Sequence, residues 1–452
     1  MIRLFKVSIP SSAVALILSE AVLIFCCYLA AAHFTVNSPM VVFLFDDGGY
    51  WHIALVTGVI ILGLYFNDLY ENYRVRSRIQ LVQQCCMVLG IAFLIQSLLS
   101  YAQWSVGLPK WAMVYGSALV LVVVPLWRMF FTWQSVSGQK VLFLGSSAAV
   151  QEIALRLMER PELGFTPIGY LDPGEGSALV GAPRLGSLAD LDDVISERQP
   201  ARIVVASQQT GVAARLLELS LAGLRIEDSS STYEMIFGRV PTADLPPSRL
   251  IFSDEMNPRP SSVMLQSASS LVLGVVALIV ALPVMALVAL AVKLISPGPV
   301  LYREQCLGLN GSRFAVYRFR SMQADPGSRP GVAWGAKAGP HITAAGRWLR
   351  RLRLDQLPQL INVVRGEMAI VGPRPERPEF VSVLEEHIPY YRQRLCVKPG
   401  MTGWAQINER DSNTVEDTIA KLEYDRYYIK NLSVWLDVYI IFHTIKATLL
   451  GR

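Results

Sequence analysis

The chain predicts a membrane α plus α/β protein in four parts. These are a four-helix transmembrane bundle (1–135), a Rossmann-like domain (136–250), a re-entrant membrane helix (260–296) and a second α/β domain with interfacial helices (297–452). Three observations carry that reading. Four apolar runs of bilayer length fill the first third. After Gly138 the pattern switches to buried strands alternating with amphipathic helices, and a fifth apolar run carries Pro283 near its middle.

Composition sets the bounds. At 452 residues there is room for two or three domains. Hydrophobic residues make up 52% and charged residues only 17%, the balance of a membrane protein. A net charge of +5 is too small to indicate nucleic acid as a partner; it suits basic residues that meet anionic lipid or phosphorylated substrates. The six cysteines show neither metal-ligand spacing nor a disulfide framework. Four sit as CC pairs inside apolar runs, and Cys306 and Cys396 stand alone.

The first four runs lie near 9–32, 50–66, 81–100 and 111–131. Arg3 and Lys6 precede the first, and Arg74, Arg76 and Arg78 separate the second from the third. The 33–49 connection has no Lys or Arg but carries Asp46 and Asp47, and 101–110 has only Lys110. The positive-inside rule then puts both ends of the bundle in the cytoplasm. The first run is long and lacks a small-residue cleavage site, unlike a signal peptide. Glu20 within it reads as a helix-contact or interface residue, with a functional carboxylate as the alternative.

In the middle part KVLFLGSS reads as a buried strand ending in a glycine turn and VQEIALRLMER as the helix after it, with RIVVAS (202–207) and TGVAARLLELSLAGL repeating the unit. The dinucleotide fingerprint is degraded, because Ser147 stands where a glycine would let the backbone approach a pyrophosphate. Tyr170 and Tyr233 lack a lysine four residues on, so reductase or epimerase chemistry has no support. The domain reads as a structural or regulatory module.

The fifth run, about 263–295, is long enough to span. Pro283 would interrupt it, and basic residues flank both ends, Arg259 and Lys293. A helix–break–helix that enters and returns satisfies both facts, provided other protein covers the break.

In the last third, RFAVYRFRSM is a strand with basic residues at alternate positions, making Arg318 and Arg320 candidates for phosphate. A loop rich in glycine and alanine (326–340) leads to a basic helix, where Arg347, Arg350 and Arg351 form a face for lipid headgroups or phosphate. Asp355 precedes Gln356-Leu357-Pro358 and a helical pattern through Leu357, Ile361 and Val364, stopped by Gly366. It reads either as an N-cap or as a nucleophile at a helix end suited to phosphate. Glu367 is a second candidate metal carboxylate. In GPRPERP (372–378) three prolines fix the backbone, so Arg374 and Arg377 project in a set geometry, and the arginine fork matches phosphate oxygens. VKPGMTGWAQIN (397–408) offers Lys398 for phosphate and Trp404 for a base. LSVWLDVYIIFHTIKATLL reads as an interfacial helix. His443 is a boundary residue, and no histidine cluster suggests a metal site.

Taken together, SPGPVLYREQCLGLNGSRFAVYRFRSM, RLRLDQLPQLINVVRGEMAIVGPRP and VKPGMTGWAQIN resemble the bacterial sugar transferases, the monotopic polyprenyl-phosphate phosphoglycosyl transferases, over about 260–450. The preceding spans and α/β domain resemble the large subclass, and TYEMIFGRVP and SRLIFSD its exopolysaccharide branch. The resemblance implies a bacterial inner-membrane enzyme with its catalytic domain on the cytoplasmic face. Asp355 would attack the sugar-linked phosphate of a UDP-sugar, releasing UMP. Polyprenyl phosphate would then take the phosphosugar from the aspartyl intermediate. Mg²⁺ held partly by Asp355, with Glu367, would neutralise the diphosphate, Arg374 would bind phosphate, and the helix broken at Pro283 would be the membrane anchor. Glucose or galactose 1-phosphate is the implied cargo, and a homodimer is expected of the Glu20-bearing bundle. One departure stands out: the family follows its nucleophile with glutamate, and this chain has Gln356. The alternative reading is therefore an attenuated or non-catalytic scaffold of polysaccharide assembly.

Overall fold

A computed structural model describes the chain except residues 1, 5–6, 71–77, 103–107, 135–137, 173–178, 180–181, 207–211, 243–257, 296–297, 321–343, 410–413 and 451–452. Arg74, Arg76, SRLIFSD and the 326–340 loop therefore lie outside the described residues. Among those described, five helices are long and apolar enough to cross a membrane.

The first four are α1 (Ser11–Thr35), α2 (Gly49–Phe66), α3 (Arg78–Ala102) and α4 (Lys110–Gln134). They share one core that includes Leu16, Ile24, Ile53, Ile60, Val88 and Val124, with α1 packed on α4 and α2. Glu20 lies inside it as a helix-contact residue. Arg128 of α4 donates from Nε to Glu20 Oε1 at 2.5 Å and from Nη2 to Oε2 at 2.8 Å. Tyr70 adds a bond to Oε2 at 2.6 Å, and Arg128 Nη1 reaches Leu69 O at 3.0 Å. With no water in an apolar core, a carboxylate needs these partners to be buried at all.

The second unit is a five-stranded parallel sheet of β1 (Gln139–Leu144), β2 (Phe165–Leu171), β3 (Arg184–Gly186), β4 (Arg202–Val205) and β5 (Arg225–Asp228), ordered β3-β2-β1-β4-β5. The order reverses between β1 and β4, as in doubly wound sheets. Helices α5 (Ala148–Glu159), α6 (Leu191–Arg198), α7 (Ala213–Leu221) and α8 (Ser229–Phe237) cover it. On one face, Val150, Ile153 and Tyr233 pack over Val141 and Phe143. On the other, Leu191, Val194 and Leu216 pack over Leu142 and Ile203. Ser147 caps α5, accepting from Val150 N at 3.3 Å, which explains why a hydroxyl residue occupies this turn.

The fifth apolar helix, α9 (Pro260–Ile295), corrects one expectation. It stays helical through Pro283 with no interposed non-helical backbone. The proline removes one donor, and in apolar surroundings the remaining backbone groups gain most by staying helical. At about 1.5 Å per residue it would reach about 54 Å if straight. Both of its ends nevertheless touch the same soluble unit. Near the start, Gln266 Nε2 donates to Val371 O (2.9 Å) and Tyr428 Oη (2.7 Å), and Gly274 faces Val363. Near the end, Val288 and Val292 bury against Phe319, Leu349, Leu354 and Leu357. Between these contacts Val276, Ile279, Val280 and Leu282 are exposed.

That soluble unit holds the hairpin β6 (Leu301–Leu307) and β7 (Arg313–Phe319), then α10 (Ala344–Arg351), α11 (Gln359–Val364), β8 (Ala369–Val371) and α12 (Pro378–His387). It continues with β9 (Gly400–Thr402), paired parallel to β8, and with α13 (Trp404–Asn408), α14 (Val415–Lys430) and α15 (Val434–Leu450). Helix α15 also meets the membrane helices. His443 Nε2 hydrogen-bonds Tyr65 Oη at 2.7 Å, and Lys446 Nζ donates to Asp68 Oδ1 at 2.5 Å and Tyr65 O at 3.1 Å.

Removing either member of the Glu20–Arg128 pair, as Glu20→Ala or Arg128→Ala, should cost about 3–5 kcal/mol by leaving a buried charge unpaired. Glu20→Leu/Arg128→Met should recover most of it. Denaturation of detergent-solubilised protein reads the difference. Burial pushes the Asp437 carboxyl up to about 7, against the Tyr428 hydrogen bond that lowers it. The fold then favours the protonated form, a stabilisation complete below the ordinary 3.8 and lost as pH rises through about 7. Asp437→Asn should flatten the fall in Tm between pH 5 and 8.5.

Candidate active site

Asp355 sits on a turn dictated by its neighbours. Arg353 takes a left-handed conformation (φ 53°), ending α10, and Leu354–Gln356 form one turn of 3-10 helix. Helix α11 starts only at Gln359, after Pro358, and has no side-chain cap. Asp355 is therefore not the N-cap, and a helix of six residues supplies little dipole for phosphate. Instead the turn buries the carboxylate, leaving it 8% exposed. Among the described residues its Oδ1 has no hydrogen-bond partner. Burial pushes the carboxyl above its ordinary range, while Arg318, Arg350 and Arg353 pull it back. Gln356 beside it is half-buried, its N–H bonded to Arg353 O at 3.2 Å.

The basic groups fall into two sets. Arg318 lies on the face of β7 opposite Phe319, which faces α9, and Arg320 follows the strand, its N–H bonded to Val300 O at 3.0 Å. Arg318 Nε is buried without a hydrogen-bond partner, and its Nη2 lies 3.9 Å from Glu304 Oε2. Arg377 is already paired with the same Glu304, Nε to Oε1, and so acts as a brace for its loop. Nothing local in the sequence singles out Glu304, which links two of the candidate phosphate arginines. Its only signal is its place in the strand LYREQCL, whose register with RFAVYRF is a tertiary fact.

Arg374 is exposed on a loop whose backbone is pinned. Gly372 N donates to Thr402 O (2.8 Å), Gly400 N to Pro373 O (2.9 Å) and Leu307 N to Glu376 O (2.9 Å). A Cβ on Gly400 would lie 2.1 Å from Gly372 N, and one on Gly403 2.2 Å from Gly372 O. The glycines of VKPGMTGW thus serve the backbone contact that shapes GPRP.

Glu367 accepts a bond from Asn362 Nδ2 at 2.7 Å. Asn362, fully buried, also ties α11 to β7 through Ala315 O (2.7 Å) and Tyr317 N (3.1 Å). Lys398 Nζ lies over the neighbouring turn, 3.8 Å from where a Gly366 Cβ would be. No group of three or more metal-type ligands occurs among the described residues. The bare buried oxygen of Asp355 does fit a hard cation, since Mg²⁺ takes one or two carboxylates and completes its shell with water and phosphate.

Trp404 is placed differently from the base-stacking expectation. It is buried, its indole N–H donates to Gly238 O at 2.6 Å, and its ring stacks on Tyr427. It belongs to the seam with the middle unit. There Lys430 binds both oxygens of Glu234 at 2.9 Å, Thr242 N donates to Glu423 at 2.7 Å, and Arg239 lies 3.5 Å from Glu423. TYEMIFGRVP is thus a docking motif.

The sequence model of the bacterial sugar transferase family matches residues 261–451, the stretch from the first turn of α9 to the end of α15. The chain is 39% identical over 192 residues to the exopolysaccharide production protein PSS of Rhizobium leguminosarum bv. phaseoli, covering 96% of that protein and 41% of this chain. The chain belongs to the bacterial sugar transferase family. It is also 35% identical over 236 residues to an Aeromonas hydrophila UDP-N-acetylgalactosamine-undecaprenyl-phosphate N-acetylgalactosaminephosphotransferase (52% of this chain, 55% of the relative). To the UDP-glucose:undecaprenyl-phosphate glucose-1-phosphate transferase of Escherichia coli K12 it is 35% identical over 320 residues (68% of this chain, 66% of the relative). The chain therefore spans a little over half to about two thirds of the length of these two relatives.

Neutralising Asp355 should stabilise the substrate-free protein. Because its folded pKa is raised, ionisation on raising pH costs stability that Asp355→Asn does not lose. The variant should be more stable than the unaltered chain near pH 8, and the gain should shrink toward pH 4. Thermal unfolding across pH reads both.

Proposed function

We propose that the chain transfers a sugar 1-phosphate from a UDP-sugar to undecaprenyl phosphate. The observation that carries this reading is the buried, unbonded Asp355 Oδ1 facing the charges of Arg318, Arg350 and Arg353. The ionised carboxylate attacks the phosphorus next to the sugar. A P–O bond to the aspartate forms, the bond to the bridging oxygen breaks, and UMP leaves with the electron pair. A polyprenyl-phosphate oxygen then attacks the same phosphorus and Asp355 is released. Arg374 and Arg320 grip phosphate oxygens, and Lys398 stands by the Glu367 turn as a further cation. Mg²⁺, held by Asp355 and, as the second carboxylate of this reading, Glu367, would supply charge neutralisation for the diphosphate.

Helix α9 is the membrane anchor in this reading. Attachment of both its ends to one unit supports an anchor that holds this unit on a single face, here the cytoplasmic face that the flanking Arg259 and Lys293 favour. The exposed apolar middle gives the lipid-borne acceptor a route to the site.

Gln356 favours a second reading, a scaffold that retains the nucleotide-sugar pocket without turnover. Release of UMP from a panel of UDP-sugars, with Mg²⁺ and polyprenyl phosphate, separates the two. Gln356→Glu should raise turnover about 100-fold or more, within the usual range for a restored acid–base group, and Asp355→Asn should abolish it. Silence from the unaltered chain and from Gln356→Glu with every sugar would leave the scaffold.

A further inference from the structure

Arg394 is a buried cation of the catalytic unit with four partners. It is 7% exposed, lies in the 3-10 segment Tyr391–Cys396, and points its guanidinium under the GPRP loop. Nη1 donates to Tyr391 Oη at 2.5 Å and lies 3.6 Å from Glu376 Oε1. Nη2 pairs with the buried Asp425 of α14 at 3.0 Å and also donates to the backbone carbonyl of Arg374 at 3.0 Å.

The last contact is the informative one. Arg374 lies between Pro373 and Pro375, neither of which has an N–H, so the loop has two fewer backbone donors of its own for its carbonyls. The neighbouring carbonyls of Pro373 and Glu376 take backbone donors, Gly400 N and Leu307 N. That of Arg374 takes a side-chain donor, and this donor is charged and held rigid by three further groups. A mere link between α14 and the 3-10 segment needs Asp425 and Tyr391 but not the Arg374 carbonyl. We infer that Arg394 is a positioning residue, setting the backbone of Arg374 so that its guanidinium meets the diphosphate of the donor substrate. This rests on the proposed reading of Arg374 as a phosphate ligand. Only a planar fork reaches all of these partners together; a lysine can keep the charge opposite Asp425 and loses the rest.

The test uses full-length protein in detergent, with UDP as the probe and Tm recorded for every variant. KM and kcat for a UDP-sugar are measured in the Gln356→Glu background. Arg394→Lys should weaken UDP binding and raise KM about tenfold with a smaller change in kcat, the effect of a slightly misplaced ligand. Asp425→Asn keeps the bond to the Arg374 carbonyl, so it should lower Tm yet leave UDP affinity within about twofold, less than half of one tenfold step in free energy. If Arg394→Lys does not fold, the uncharged pair Arg394→Gln/Asp425→Asn takes its place, with the same loss of UDP affinity expected. Equal losses of UDP affinity in Arg394→Lys and Asp425→Asn, tracking Tm, would mean a structural ion pair and overturn the inference. So would unchanged affinity in Arg394→Lys when Arg374→Ala binds UDP poorly. Unchanged affinity in Arg374→Ala would overturn the phosphate reading of Arg374 and the inference together.

Discussion

An apolar helix of 36 residues whose two ends are held by one soluble unit constrains everything else in this molecule. A helix of that length usually holds its two flanking segments apart by the thickness of a bilayer. Here the first turns are tied to the strand that feeds GPRP, and the last turns to the turn that carries Asp355. The membrane element is thus part of the floor of the site. Gln266 illustrates the cost and the remedy. A buried amide needs partners, and its Nε2 finds two at once, Val371 O and Tyr428 Oη. Tyr428 in turn donates to Asp437 at 2.7 Å, so helices α9, α14 and α15 converge on one strand end.

The same logic joins the other units. Each seam is built on buried or half-buried charge whose desolvation is offset by a specific partner: Glu20 with Arg128 within the membrane helices, Asp68 with Lys446 between them and α15, and Glu234 with Lys430 between the middle unit and α14. Apolar contacts alone would let these surfaces slide, because they are non-directional. Charged pairs in low dielectric penalise any register but one. Helix α15 takes part in one such pair, Lys446 with Asp68, and its Asp437 accepts from Tyr428, whose hydroxyl also reaches Val371 O on the strand before GPRP. It therefore lies between the lipid-embedded part and the candidate phosphate loop.

Much of this is legible in the sequence, and the misses have a common cause. Length and hydropathy locate all five apolar helices, and strand–helix alternation locates the parallel sheet. Proline and glycine spacing locates both loops of the site, because these signals are local. Arg128 gives no such signal, since its run is apolar and its partner lies 108 residues away. Arg377 resembles a ligand until the β6–β7 register brings Glu304 to it. Trp404 resembles a base platform until Gly238 and Tyr427 close around it. Asp355 resembles a cap because aspartate before a helix usually is one. The left-handed Arg353 tightens the chain into a 3-10 turn and shifts the helix start to Gln359. Side chains matched only by tertiary partners carry no mark in a single sequence.

The electrostatics of the site turn on how positive charge is shared before and after substrate arrives. Arg377 is neutralised by Glu304, which also lies near Arg318, so the uncommitted charge among the candidate phosphate arginines is less than their count suggests. With the site empty, Arg318, Arg350 and Arg353 help keep the buried carboxylate ionised against its own desolvation. On the proposed reading a diphosphate then competes for those same arginines and repels the carboxylate that must attack it. Like charges brought together in a buried site favour protonation, and a protonated aspartate is no nucleophile. A glutamate at position 356 would add a further negative charge at this point, and Gln356 does not. Against the glutamate that the family resemblance implies at this position, Gln356 offers no base but on the proposed reading also relieves part of the repulsion that an incoming diphosphate meets. The remaining repulsion is what a divalent cation between the carboxylate and the diphosphate would offset.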